Sequence, residues 1–138
     1  MPVYLGFDYG EKRIGVALGD DLTRSARSLS AVPGGDWSAI DRLIREWRPA
    51  ALIVGLPLTE DGGEQATSQA ARRFAEQLGQ RSRLPVHGSD ERYSSRVADE
   101  RLREARASGR LGRRVRKGDR DGQAACVILE QWLAMLPG

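Results

Sequence analysis

A chain of 138 residues is long enough for one domain with a real core and too short for two substantial ones. It has no run of about 18 apolar residues and no apolar segment behind a basic N-terminus, so neither a membrane span nor a secretory leader is expected and a soluble cytoplasmic protein is. A single cysteine, Cys126, excludes an intrachain disulfide and a cysteine-rich zinc site, and a single histidine, His87, leaves little for a triad or a His-based metal centre, so a bound metal must be held by carboxylates. The net charge is only +3, yet between Arg92 and Arg120 eleven arginines and lysines face four acids, leaving the remainder net acidic. Concentrated arginine is the electrostatic footprint of a phosphate-backbone binder, although a solvated basic helix and loop would produce it too.

In chain order, the opening stretch VYLGFDYGEKRIGVAL (3–18) reads as a hairpin. Val3, Leu5 and Phe7 alternate as an apolar row that ends in Asp8, Gly10 opens a tight turn, and Ile14, Val16 and Leu18 begin a second strand. A strand fixes the carboxylate at its tip, and hard divalent cations prefer carboxylate oxygen, so Asp8 is a candidate first ligand for Mg²⁺ or Mn²⁺. Shaping the turn is its plainer role. Gly6 and Gly10, lacking a Cβ, are expected to let a bulky anionic ligand approach closely.

Residues 24–32 (RSARSLSAV) read as a third strand closed by Pro33, Gly34 and Gly35, completing an antiparallel meander. Asp36 is the expected N-cap of a helix with Trp37, Ile40, Leu43, Ile44 and Trp47 on one face, ended by Pro49. Its tryptophans share their stripe with aliphatics and read as core and rim residues rather than as a base-stacking platform. The continuous apolar run ALIVGL (51–56) marks a strand covered on both faces, lying parallel beside the first. The glycine-containing loop that follows, with Thr59 to Gly63 at its centre, should share the sheet end of Asp8.

A helix over residues 64–80 would present Thr67, Ala71, Phe74, Ala75 and Leu78 to the sheet, with Gly79 near its end. After Pro85 a fifth strand, VHGSDE, ends in Asp90 and Glu91, followed by Arg92. Ser94 or Ser95 caps a further helix to about Ala107, with Val97, Leu102 and Ala105 inward. The segment SGRLGRRVRKG (108–118) reads as a mobile basic loop. Asp119 and Asp121 precede a closing helix with Ala125, Ile128, Leu129, Trp132, Leu133 and Leu136 on its apolar stripe, and Asp121 is its expected N-cap. Cys126 reads as a small core residue, and His87 has no assigned role.

With strands one, four and five parallel, Asp8 and Glu91 emerge at one end of the sheet, and the closing helix can bring Asp121 there. Neighbours on a strand face opposite ways, so Asp90 competes with Glu91 for the inward position. Three acids in one place repel, and a cation rationalises them. Two Mg²⁺ or Mn²⁺ ions about 3.5 to 4 Å apart would activate a water, steady a leaving 3′ oxygen and offset charge on the attacked phosphate. That equipment suits phosphodiester hydrolysis.

The segments DYGEKRIGVA, IVGLPLTEDG, SDERYSS and KGDRDGQAACVILEQWL, in this order and spanning nearly the whole chain, resemble the bacterial family of pre-16S rRNA nucleases or Holliday-junction-resolvase-like proteins. The resemblance implies an α/β fold of the RNase H-like class over residues 1–138 as a single nuclease domain. Its five-stranded mixed sheet would have order 3-2-1-4-5, with strand 2 antiparallel, flanked by helices. It also implies divalent-metal-dependent nucleic acid hydrolysis, with Asp8, Glu91 and Asp121 as catalytic and metal-binding residues. RNase H enzymes and true junction resolvases usually place the second acid at the end of strand four, where this chain has Val54-Gly55-Leu56, so strand five must supply it. Asp119 is the nearest candidate for a fourth acid. Lys12, Arg13 and Arg92, with Arg110, Arg113, Arg114, Arg116 and Lys117 of the basic loop, are expected to bind nucleic acid.

The leading expectation is an endonuclease that cuts RNA with water as nucleophile, in maturation of the 5′ end of pre-16S rRNA. Branched, four-way DNA is the alternative substrate, and a binding module without catalysis is the alternative class. Symmetric cutting of a junction favours a two-fold dimer, whereas rRNA trimming needs none, and a monomer or weak dimer is expected. The Asp-x-Gly hairpin also resembles the phosphate-binding turn of actin-like and sugar-kinase folds, but those need a second domain to enclose ATP.

Overall fold

Apolar alternation along the first twenty residues builds an antiparallel hairpin of β1 (Val3–Asp8) and β2 (Arg13–Asp20), in register from Val3 opposite Asp20 to Asp8 opposite Gly15. The computed structural model describes residues 2–56, 66–90 and 117–136. Beyond the hairpin, β2 pairs antiparallel with β3 (Ala26–Pro33), with a register shift between Ile14 and Val16. On its other side β1 pairs in parallel with β4 (Ala51–Leu56), which pairs in parallel with β5 (Val86–Asp90). The order β3-β2-β1-β4-β5 is the expected one.

Strand β3 starts two residues later than the pattern suggested. The Asp20 carboxylate accepts from the backbone N–H groups of Leu22 and Thr23 at 3.0 and 2.8 Å. Arg24 then takes a left-handed backbone, φ 57°, and donates its N–H to the Asp20 carbonyl at 3.1 Å. A positive φ is incompatible with a strand, so pairing begins only at Ala26.

Helix α1 (Trp37–Trp47) is bounded as its sequence dictates. The Asp36 carboxylate accepts from the Ala39 N–H at 3.1 Å, and Arg48, at φ 48°, closes the last turn onto the Ile44 carbonyl before Pro49. Helix α2 (Ala66–Ser82) runs past Gln80, its expected end. It ends at Arg83, φ 60°, whose N–H reaches the Gly79 carbonyl at 2.9 Å, so a non-glycine residue makes the left-handed exit. Helix α3 (Lys117–Ala134) begins four residues before Asp121.

Strand alternation sorts the core into two layers. Leu5, Phe7, Ile14, Val16, Leu18, Leu52 and Val54 pack with Ile40 of α1 and Ala71, Phe74 and Leu78 of α2. On the opposite face Ala17 and Ile53 pack with Ala125, Cys126, Ile128, Leu129 and Leu133 of α3. Strand β4 is covered by both layers, which is why ALIVGL reads as an unbroken apolar run. Cys126 is buried in the α3 layer as a small core residue. Further fastening comes from the start of β3 and the turn before it: the Ala26 N–H donates to Glu130 Oε2 at 3.2 Å, and Arg24 Nη1 donates to the Leu136 carbonyl at 2.9 Å. Among the described residues no helix is long and apolar enough to cross a membrane.

Candidate active site

Because β1, β4 and β5 are parallel, their carboxyl ends share one rim of the sheet. Asp8 closes β1 at that rim and is half-buried. It belongs to the same alternating row as Tyr4 and Gly6, which face the α3 layer.

Helix α3 runs antiparallel to β1. Gly6 lies against Ala125 and Leu129, whereas Gly19, opposite Tyr4 near the start of β1, lies against Leu129 and Leu133. Traced backwards, the helix therefore heads toward the Asp8 rim. Asp121 is four residues before Ala125, about 6 Å along the helix, and Asp8 is two residues beyond Gly6, about 6.6 Å along the strand, so the two backbones advance to the rim in step. Asp121 is not the N-cap expected of it, since α3 already starts at Lys117. An aspartate near an amino-terminal helix end is favoured by the macrodipole whether it caps the helix or sits within it, so residue type alone does not separate the two positions.

The two glycines of the hairpin serve packing rather than ligand access. A Cβ at Gly6 would lie 2.9 Å from the Leu129 Cβ, and one at Gly10 would lie 2.5 Å from the Arg13 carbonyl oxygen. Gly6 thus admits the helix, and Gly10 admits the tight turn. That turn carries exposed Lys12 and half-buried Arg13, and the Lys12 carbonyl accepts from the Gly34 N–H at 2.8 Å, tying it to the β3–α1 connection. Lys117, expected in a loop, is the first residue of α3.

At the end of β5, Ser89 is opposite Gly55 and Asp90 opposite Leu56. Glu91, Arg92, Arg110, Arg113, Arg114 and Arg116 lie outside the described residues, as do the 59–63 loop, the helix expected over 94–107 and the segment 108–116. Among the described residues no group of three or more His, Cys, Asp or Glu side chains comes together. The oxygen chemistry and partial exposure of Asp8 suit a hard divalent cation. A different carboxylate, Asp20, is held below the usual carboxylate range by the Thr23 backbone N–H, assisted by the Thr23 hydroxyl and the Leu22 N–H. It sits at the far rim and stabilises a turn.

An aromatic group at the Asp8 rim was not anticipated. Tyr9, the residue after Asp8, lies on Phe74 of α2 with centroids 5.1 Å apart, and Trp37 of α1 stacks on the same ring at 5.4 Å. The sequence signal was an aromatic residue directly following the strand-end acid.

Residues 2–135 match the family described as RuvX, Holliday junction resolvase. A Legionella pneumophila strain Philadelphia 1 protein named "Putative pre-16S rRNA nuclease" is 51% identical over 135 residues, covering 95% of this chain and 94% of its own. One of the same name from Cupriavidus pinatubonensis is 47% identical over 137 residues, covering 96% and 89%. The fold is similar to that of T. thermophilus RuvC in complex with Holliday junction substrate, with a TM-score of 0.58 at 16% identity over 96% of this chain and 94% of that one. With a family match over nearly its full length and the expected sheet order, this chain belongs to the RuvX family and is a nuclease of RNase H-like fold.

Proposed function

We propose that the chain is a divalent-metal-dependent endonuclease that hydrolyses RNA in the cytoplasm, acting on the 5′ end of pre-16S rRNA, with Asp8, Glu91 and Asp121 as its acids. The observation that carries this reading is the antiparallel course of α3 against β1, which brings the backbones of Asp8 and Asp121 toward one rim. The names of the relatives supply the substrate. The resemblance of SDERYSS to the family's motif favours Glu91 over Asp90. In β5, Val86 joins the α1–α2 layer and His87 stacks on Trp132 of α3, so this strand presents one side to each layer.

Mg²⁺ or Mn²⁺, when bound, supplies a water of lowered pKa and positive charge against the attacked phosphate. Asp8, Glu91 and Asp121 are the residues that would hold it, through carboxylate oxygens. Lys12 and Arg13, on the turn that follows Asp8, and Arg92, after Glu91, grip neighbouring phosphate oxygens and align the scissile bond. Arg110, Arg113, Arg114, Arg116 and Lys117 extend that grip along the strand.

Asp8→Asn tests the assignment. Cleavage of a pre-16S rRNA 5′ fragment with Mg²⁺ falls by at least about 100-fold, while binding in EDTA is retained. Undiminished cleavage would show that Asp8 is not catalytic. The likeness to a junction-bound RuvC and the family's description favour branched DNA as the second reading. Symmetric resolution needs two-fold pairing, so a strict monomer at micromolar concentration that cuts the rRNA fragment but leaves a four-way junction intact supports the first.

A further inference from the structure

Beside the Asp8 rim, between α1, α2 and the hairpin turn, is a cavity of about 190 Å³. Its wall is aromatic: Tyr9 and Trp37 pack on buried Phe74 at centroid separations of 5.1 and 5.4 Å, and Arg81 lies over the Trp37 ring at 5.0 Å, leaving half-buried Tyr9 as the ring with no second aromatic or cationic contact among the described residues. Its mouth is polar. Arg73 and Gln77, one helical turn apart on α2, are both exposed there, and Arg73 has no ion pair or hydrogen bond among the described residues. Pockets for drug-sized ligands occupy about 300 to 1,000 Å³, so this volume suits one planar ring system rather than a larger molecule. Aromatic faces with a guanidinium at the edge are how proteins hold bases of single-stranded nucleic acid, whereas in a duplex both faces of a base are already stacked.

From these features we infer that the cavity binds one unpaired nucleobase of a single-stranded RNA segment next to the cleavage position. The inference rests on the nuclease reading, because it is Asp8 that brings the strand to this rim. Tyr9 immediately follows Asp8, and strand alternation turns it to the α1–α2 side while Asp8 belongs to the α3 side. A strand crossing the rim therefore sets a phosphate at Asp8 and drops the adjacent base into the cavity against Tyr9, with Arg73 on its own phosphate. The site would select against fully paired substrate and favour a scissile bond in an unpaired stretch.

Two variants test this on the full chain, with a ten-nucleotide single-stranded RNA and a perfectly paired RNA hairpin of the same composition as probes, both in EDTA so that cleavage plays no part. Ala70→Phe fills the cavity from half-buried Ala70 of α2, and single-strand affinity falls about 10- to 100-fold while hairpin affinity stays within about twofold. Arg73→Gln, at an exposed position that leaves folding untouched, weakens single-strand binding about threefold or more and spares the hairpin, so the test survives if Ala70→Phe fails to fold. Unchanged single-strand affinity in a folded Ala70→Phe protein and in Arg73→Gln, equal losses on both probes, or no single-strand binding by the unmodified chain would overturn the proposal. The nuclease reading fails separately: single-strand binding sensitive to Ala70→Phe, with no metal-dependent cleavage by the unmodified chain, keeps the pocket and removes the catalysis.

Discussion

Leu129 rests on Gly6 so closely that a glycine-to-alanine change would put the two Cβ atoms 2.9 Å apart, with the Ala125 carbonyl oxygen of the same helix 3.3 Å away. Neither neighbour is the free end of a flexible side chain, so α3 itself must lift. Gly6→Ala is expected to cost about 1 to 3 kcal/mol in urea unfolding. It also displaces the helix end that bears Asp121, so cleavage measured well below the melting temperature should fall by about 10- to 100-fold.

Phe74 is the hub of the other layer. Buried, it meets Phe7 edge-on at 5.9 Å as well as Tyr9 and Trp37. Truncation to alanine leaves a void that the β-sheet on one side cannot fill, and a loss of about 3 to 5 kcal/mol in chemical denaturation is expected.

Asp20 gives stability a pH dependence whose sign is fixed. Its folded pKa lies below the ordinary carboxylate value because the Thr23 N–H stabilises the anion. Its contribution is therefore full above the unfolded pKa, near 3.9, and is lost as pH falls through the lower folded value. At pH 7 Asp20→Ala should lower the melting temperature by a few degrees, roughly, and the gap to the unmodified protein should close in melts below about pH 4.

Lys12 is exposed on the turn after Asp8, and on the proposed reading it contacts one phosphate. If so, Lys12→Gln reduces the slope of log affinity against log salt for single-stranded RNA by about 0.7, the value for one released counterion. A titration between low and moderate salt reads it directly.

What was legible in the sequence was what periodicity and end signals encode locally. The unbroken ALIVGL gave β4 its bounds, and Asp36 with Pro49 framed α1, because burial on two faces and capping are written into adjacent residues. The start of β3 was misread because Arg24 adopts a left-handed conformation stabilised by a turn four residues upstream, which no β pattern reveals. The start of α3 was misread because Asp119 and Asp121 satisfy a helix dipole from inside as well as from the cap. Gly6 was assigned to a ligand because its true neighbour, Leu129, is more than a hundred residues away. The aromatic wall of the rim cavity was hidden for the same reason: Tyr9, Trp37 and Phe74 come from a turn and two helices, and each alone looks like ordinary core.

The last helix in the chain covers the first hairpin, and this orders events during synthesis. Until α3 has left the ribosome, Ala17 and Ile53 lack the apolar partners that bury them, so the sheet made first cannot close its second layer until this much later segment arrives.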